Sequence, residues 1–161
     1  MLKKNYVGKE QALQKLKHYC SYQERCHSEV KEKLYSLGLH KAEVEELISV
    51  LIEENYLNEE RFAIQFAGGK FRMNNWGRQK IIHALQQKKV STYCIKKGLK
   101  EIAEEDYNST ILKLASTKWN LLKGEQYMSR QAKTYAYLLQ KGYEAELIGK
   151  TIAQLKEKNT S

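Results

Sequence analysis

Apolar residues recur through most of the chain at three- and four-residue intervals, the spacing that lines one face of an α-helix. Val44, Leu47, Ile48, Leu51 and Ile52 form one such stripe, Ile81, Ile82 and Leu85 a shorter one, and Leu147, Ile148, Ile152 and Leu155 a third. The breaks between stripes carry punctuation with a physical role. Gly38 and Gly142 stand where a left-handed residue would end a helix. Asn58 and Ser91 stand where a short polar side chain would cap the next one, and Asn74-Asn75 marks another break. The pattern predicts nine helices in three groups of three: 9–20, 26–37 and 40–54; 58–73, 76–88 and 91–102; 105–122, 127–141 and 144–157.

The second and third helices of each group repeat. A shift of 51 places Val30, Leu34, Leu39, Val44, Ile48 and Leu51 on Ile81, Leu85, Val90, Ile95, Leu99 and Ile102. A further shift of 53 carries Leu85, Val90, Ile95, Leu99 and Ile102 onto Leu138, Tyr143, Ile148, Ile152 and Leu155, while Ile81 lands on the polar Thr134. Any two amphipathic stripes can be slid into register, but two helices and their turn aligning together without a gap is a stronger sign. The expected fold is all-α: an elongated array of three tandem three-helix, helix-turn-helix-like modules at 1–56, 57–103 and 104–161, each steadied by its neighbours.

Composition agrees. The 161 residues include no proline, and good helix formers dominate. No apolar run approaches the ~20 residues of a membrane span, and the N-terminus lacks the apolar stretch of a signal peptide. A cytoplasmic protein without membrane attachment, a monomer, is expected. Cys20, Cys26 and Cys94 are odd in number and lack paired spacing, as for thiols in a reducing compartment.

Charge sharpens the picture. The net charge is +9, and its distribution is uneven. Residues 1–57 balance nine basic against nine acidic side chains, and residues 101–161 carry nine against eight. Residues 58–100 carry ten basic and two acidic side chains, with no carboxylate anywhere from Arg61 to Lys100. Such a segment attracts phosphates or an acidic protein surface; the plainer reading is a solvated face kept basic for solubility.

No catalytic constellation is visible. Cys20 with Cys26-His27 lacks a fourth ligand and zinc-finger spacing, so no metal and no cofactor are expected. Gly68-Gly69-Lys70 is not a phosphate-binding loop, because the full Gly-x4-Gly-Lys-Ser/Thr pattern and a preceding strand are missing. Cys94 reads as a small buried side chain. An enzyme is not expected. Binding chemistry is better supported. Lys70, Arg72, Trp76, Arg78 and Lys80 fall across the Asn74-Asn75 break, and cations beside an aromatic can hold anions while the ring packs or stacks. Lys88, Lys89, Lys96 and Lys100 extend this basic set, the last two one helical turn apart. Trp76 either closes a seam between helices or stacks a base. Arg72 and Arg78 have no acid nearby in sequence to pair with. Arg25, Lys31, Lys33, Arg61, Arg130 and Lys133 are secondary binding candidates.

Three stretches resemble the RecX family. Tyr56-Leu57-Asn58-Glu59-Glu60-Arg61-Phe62-Ala63 is similar to its Tyr-Leu-Asp-Asp-x-Arg-Phe-Ala signature, followed by a basic helix and Trp76-Gly77-Arg78-Gln79-Lys80-Ile81-Ile82-x-x-Leu85. Arg25-Cys26-His27-Ser28-Glu29-Val30-Lys31-Glu32-Lys33-Leu34, then Gly38-Leu39, resembles the family's Arg-Ser-x-x-Glu-Leu-x-x-Lys-Leu and Gly-hydrophobic element, with Cys26-His27 inserted. Gln140-Lys141-Gly142-Tyr143 resembles its Lys/Arg-Gly-aromatic turn. Lys89 departs, standing where the family often has glycine, so that helix end is expected to lack its left-handed residue. Within the signature, Tyr56, Leu57 and Phe62 are expected to pack the junction between the first and second modules rather than touch a partner, Asn58 to cap the following helix, and Leu85 to be a structural position. Arg61 is open between a structural bond and a surface contact.

The resemblance implies a regulator that binds the RecA filament on single-stranded DNA and modulates, mostly inhibits, its ATPase, extension and strand exchange. The alternative is a basic protein that binds single- or double-stranded DNA directly. Against that, the helix expected at 91–102 offers Lys and apolar side chains but no Asn, Gln or Arg to read base edges.

Overall fold

In a computed structural model that describes residues 7–159, the chain is built from helices, with no strand among the described residues. They are α1 (Lys9–Tyr22), α2 (His27–Ser36), α3 (Lys41–Glu53), α4 (Glu59–Asn74), α5 (Arg78–Gln87), α6 (Thr92–Lys100), α7 (Glu104–Leu121), α8 (Tyr127–Lys141) and α9 (Ala145–Asn159). The predicted caps form. Asn58 Oδ1 accepts the Arg61 N–H at 2.9 Å, and Ser91 Oγ accepts the Cys94 N–H at 3.2 Å, satisfying orphan first-turn donors. At α2, the Glu29 carboxylate reaches back to the Cys26 N–H, so the inserted cysteine becomes the residue before the helix rather than disturbing it.

The repeat is a repeat of burial. Val30, Leu34, Leu39, Val44, Ile48 and Leu51 are buried, as are Ile81, Leu85, Val90, Ile95 and Ile102, and Leu138, Tyr143, Ile148, Ile152 and Leu155. Thr134, where the apolar match failed, is also fully buried, and its hydroxyl donates to the Arg130 carbonyl at 2.8 Å. A polar side chain is tolerated there because its donor is satisfied within its own helix. The turn repeats too. Gly38, Lys89 and Gly142, at the same two offsets, have φ of 91°, 60° and 101°. The expectation that Lys89 would leave its helix end without a left-handed residue is therefore corrected: the lysine itself adopts that conformation, which costs a non-glycine residue about 1–2 kcal/mol. Two smaller expectations also change. Ile52 is exposed rather than part of the buried stripe, and Cys94 is half-buried.

The chain divides into two compact units. One runs to Phe66 and takes in Leu85–Gly98; the other comprises Ala67–Ala84 and everything from Leu99 onward, so the middle triplet contributes to both. In the first unit, α1, α2 and α3 pack together around Ala12, Leu16, Cys20, Val30, Leu34, Leu47, Leu51 and Leu57, with Tyr56 against this core. Ion pairs Lys9–Glu46 and Lys17–Glu54 tie α1 to α3 and to the residue that ends it. Phe62 is buried with its ring 5.6 Å from that of Phe66, and Leu85 is fully buried. Helix α6 crosses α4 where Gly98 faces Ala63, close enough that a Cβ on Gly98 would stand 2.6 Å from the Ala63 carbonyl oxygen.

In the second unit, α7, α8 and α9 pack against one another. Phe71, Tyr107 and Tyr143 form a run of rings with centroids 5.9 and 5.2 Å apart, a spacing favourable for aromatic pairs. Tyr107 and Tyr143 are completely buried.

Candidate functional site

The second unit places the cationic break on a fixed base. Helix α4 stops at Asn74, and Asn75 turns left-handed with φ 58°. The following segment is tied by three hydrogen bonds to one turn, residues 141–143. The Gly77 N–H donates to the Lys141 carbonyl at 2.8 Å, the Gln79 N–H to the Gly142 carbonyl at 2.9 Å, and the Tyr143 hydroxyl to the Asn75 carbonyl at 2.9 Å. Trp76 stands in this loop, half-buried, with the ammonium groups of Lys70 and Lys80 over its ring at 5.0 and 4.8 Å from the centroid. The electron-rich indole face attracts both cations and lets them sit near a single ring. Trp76 thus packs beneath the lysines while part of it stays accessible.

Arg72 is exposed and lies back toward α4, its guanidinium occupying the space a Cβ on Gly68 would take. A Cβ on Gly68 would have to displace only the tip of this exposed, flexible side chain. No ion pair joins Arg72 to a described carboxylate. It lines a cleft of about 300 Å³ with Asn75, Asp106, Ser109 and Thr110. A larger one, about 460 Å³, shares Asn75, Ser109 and Thr110 and adds Lys113 and Lys118 from α7. These α7 side chains were not singled out from the sequence, because they lie outside the carboxylate-free segment.

Arg78 requires a correction. It lacks acidic neighbours in sequence, yet its guanidinium is paired with Glu144 at 2.8 Å and with Glu104, and lies 3.8 Å from the Tyr107 ring centroid. The Tyr107 hydroxyl accepts the Arg78 N–H at 3.0 Å and donates to Glu144. Burial, reinforced by the bond to Glu144, holds the Tyr107 phenol well above the usual tyrosine range; burial does the same for Tyr143. Arg78 is a bracket within the second unit, its charge already neutralised by two carboxylates.

The remaining candidates fall as follows. Lys100 is exposed at the end of α6. Lys88, Lys89 and Lys96 belong to the first unit. The Lys88 carbonyl accepts the Ser28 hydroxyl at 2.6 Å, and its ammonium lies 5.9 Å from the Phe66 ring centroid. Lys89 and Lys31 line a cleft with His27, Ser28 and Glu59, so that opening is of mixed charge. Lys96 is exposed. Arg61 is structural: it pairs with Glu24 and donates to the Asn55 side chain and carbonyl at 3.1 Å each. Arg130 caps the C-terminal end of α7, its Nε donating to the Trp119 carbonyl at 2.8 Å with the guanidinium 4.1 Å from the indole centroid. Lys133 pairs with Glu125. Arg25 and Lys33 both lie over the Tyr19 ring. Among the described residues, no three His, Cys, Asp or Glu side chains gather as metal ligands, and no helix is long and apolar enough to cross a membrane.

Fold and surface together define an all-helical protein of tandem three-helix repeats with a pre-positioned cationic cluster. Comparison with known proteins gives the lineage. Residues 58–99 match the family model for the second three-helix domain of RecX, and residues 104–152 the model for its third. The chain belongs to the RecX family. The Regulatory protein RecX of Clostridium perfringens is 35% identical over 130 residues, which cover 79% of this chain and 60% of that protein. That of Bacillus cytotoxicus is 27% identical over 139 residues, 86% of this chain and 52% of the other. The chain thus spans between half and three fifths of the relatives it matches. The crystal structure of RecX from Lactobacillus salivarius superposes with a TM-score of 0.85 at 24% identity, covering 92% of this chain and 96% of that one, and shares the fold.

Proposed function

We propose that this chain regulates the RecA recombinase by binding its filament on single-stranded DNA, chiefly restraining ATP hydrolysis, filament extension and strand exchange. The observation that carries the reading is the pair Lys70 and Lys80 over the Trp76 ring, with Arg72 exposed on the helix that carries Lys70, within a family of regulatory proteins. Cations fixed beside an anchored loop lose little freedom when they meet carboxylates or phosphates, so more of the attraction is retained as affinity. The repeated three-helix modules at 1–56, 57–103 and 104–161 supply several weak contacts, and each becomes effectively intramolecular once another has docked. On this reading the protein acts in the cytoplasm, as a monomer, in recombination and DNA repair. It is a binding regulator rather than an enzyme.

Co-sedimentation with RecA filaments on single-stranded DNA at several salt concentrations tests this. Binding is expected to weaken as salt rises, with a smaller salt slope for a variant carrying Lys70→Glu, Arg72→Glu and Lys80→Glu. Identical binding and slope for that variant would remove the cluster from the interface. Binding to DNA that does not change when RecA is omitted would favour direct nucleic-acid binding instead.

A further inference from the structure

The first unit carries a second cationic–aromatic surface, distinct in residues from the cluster around Trp76. A cleft of about 680 Å³ is lined by Lys15, His18, Tyr19, Tyr22, Arg25 and Lys33, with two glutamines and no carboxylate. We propose that this cleft binds single-stranded nucleic acid, stacking a base on Tyr22 and seating phosphates on Lys15, Arg25 and Lys33.

Two features carry the proposal. Tyr22 is the last residue of α1 and is 78% exposed, so its ring contributes little to packing. Arg25, by contrast, is tightly positioned. Its guanidinium lies 3.6 Å from the Tyr19 ring centroid, and its Nε donates to the Tyr19 carbonyl at 3.1 Å. No ion pair links Arg25 to a described carboxylate, leaving the terminal nitrogens to meet an anion. Lys33 lies over the same ring at 5.9 Å. A ring held under two cations, next to a second ring open to solvent, combines phosphate attraction with a stacking platform. Acidic side chains would use the cations but do not stack on the open face of Tyr22, whereas every base has a π-face that does. A duplex hides its base faces, so stacking selects unpaired bases. Beyond Lys33 a neighbouring cleft carries Glu29 and Glu32, whose like charge would repel phosphates and so set one edge of the track.

The test is fluorescence anisotropy of the full chain with a labelled oligo-dT and with an abasic oligomer of equal length. It is run in the wild type and in the Lys70→Glu, Arg72→Glu, Lys80→Glu background, so that the second-unit cluster does not mask the result. Tyr22→Ala is expected to weaken oligo-dT binding about tenfold in that background and to leave abasic binding nearly unchanged. Tyr22→Phe should bind as the parent does, and Lys15→Glu with Lys33→Glu should weaken both probes. Unchanged oligo-dT affinity for Tyr22→Ala would overturn the proposal. An equal loss on both probes would overturn it too, assigning the cleft to phosphate alone. Tyr22 is exposed, so its variants are expected to fold, which circular dichroism checks.

Discussion

Gly77 meets Gly142 backbone to backbone: a Cβ on Gly77 would collide with the Gly142 carbonyl, and one on Gly142 would collide with Lys80. Two motifs far apart in sequence, Trp76-Gly77-Arg78 and Lys141-Gly142-Tyr143, are therefore halves of one joint. Its hydrogen bonds fix the loop that carries Trp76 and the start of the helix that carries Lys80. The glycines are required by this approach, and at Gly142 also by a φ of 101°.

Substitution at the joint should accordingly be costly. Gly77→Ala and Gly142→Ala are each expected to lose about 2 kcal/mol or more, from overpacking and, at Gly142, from the left-handed backbone. Gly69→Ala, in a helix with nothing within 4 Å of its added Cβ, should be neutral or gain up to about 1 kcal/mol. Chemical denaturation of the three variants checks the contrast, and equal stability for all would contradict the joint.

Arg78 should behave as a structural residue. Arg78→Ala is expected to cost about 1–3 kcal/mol, because Glu144 is left half-buried without its cation. Arg78→Lys should recover only part of this, as an ammonium cannot span two carboxylates while lying flat on Tyr107. A double-mutant cycle with Glu144→Gln measures the coupling. A fully stable Arg78→Ala that has lost filament binding would return Arg78 to the interface.

Stability should fall on the alkaline side. Burial raises Tyr107 and Tyr143, with Glu144 adding to the effect at Tyr107, and pushes the Cys20 thiol from 9.0 up to about 11. Each is an acid whose unfolded form gives up its proton first, so the unfolded state binds fewer protons and stability declines as pH rises. The Cys20 contribution is complete below 9.0 and is lost as pH approaches about 11; the tyrosines begin to act above ~10. Denaturation midpoints should hold from neutral pH to about 9 and then drop, and Tyr107→Phe should shallow the drop. Midpoints that rise through this range would contradict the assignment.

Lys89→Gly should stabilise the protein by about 1 kcal/mol, since glycine adopts the left-handed turn without the steric cost borne by lysine. Thermal melts of the variant beside wild type settle the sign. A loss would mean that the Lys89 side chain contributes more than its backbone costs.

The helices and their turns were legible because burial imposes a period that the sequence carries openly, and Asn58 and Ser91 announce their caps by type and place. The core repeat was legible for the same reason except at Thr134, a buried position hidden by a polar side chain whose hydroxyl is satisfied inside its own helix. What stayed hidden were partnerships across sequence. Glu104 and Glu144 lie outside the carboxylate-free segment, so Arg78 looked unpaired. Lys89 gave no sign that it would adopt a glycine-like backbone. The lysines around Trp76 were identified as candidates, but their shared ring depends on the Gly77–Gly142 joint, which no local pattern reveals.

The most direct test of the proposed function is the DNA-dependent ATPase of the cognate RecA, titrated with wild type and with the Lys70→Glu, Arg72→Glu, Lys80→Glu variant. The expected result is suppression by the wild type below one molecule per RecA protomer, and a marked loss of potency in a variant of unchanged melting temperature. No suppression by a stoichiometric excess of wild type, with filaments confirmed by electron microscopy, would contradict RecA regulation by this chain.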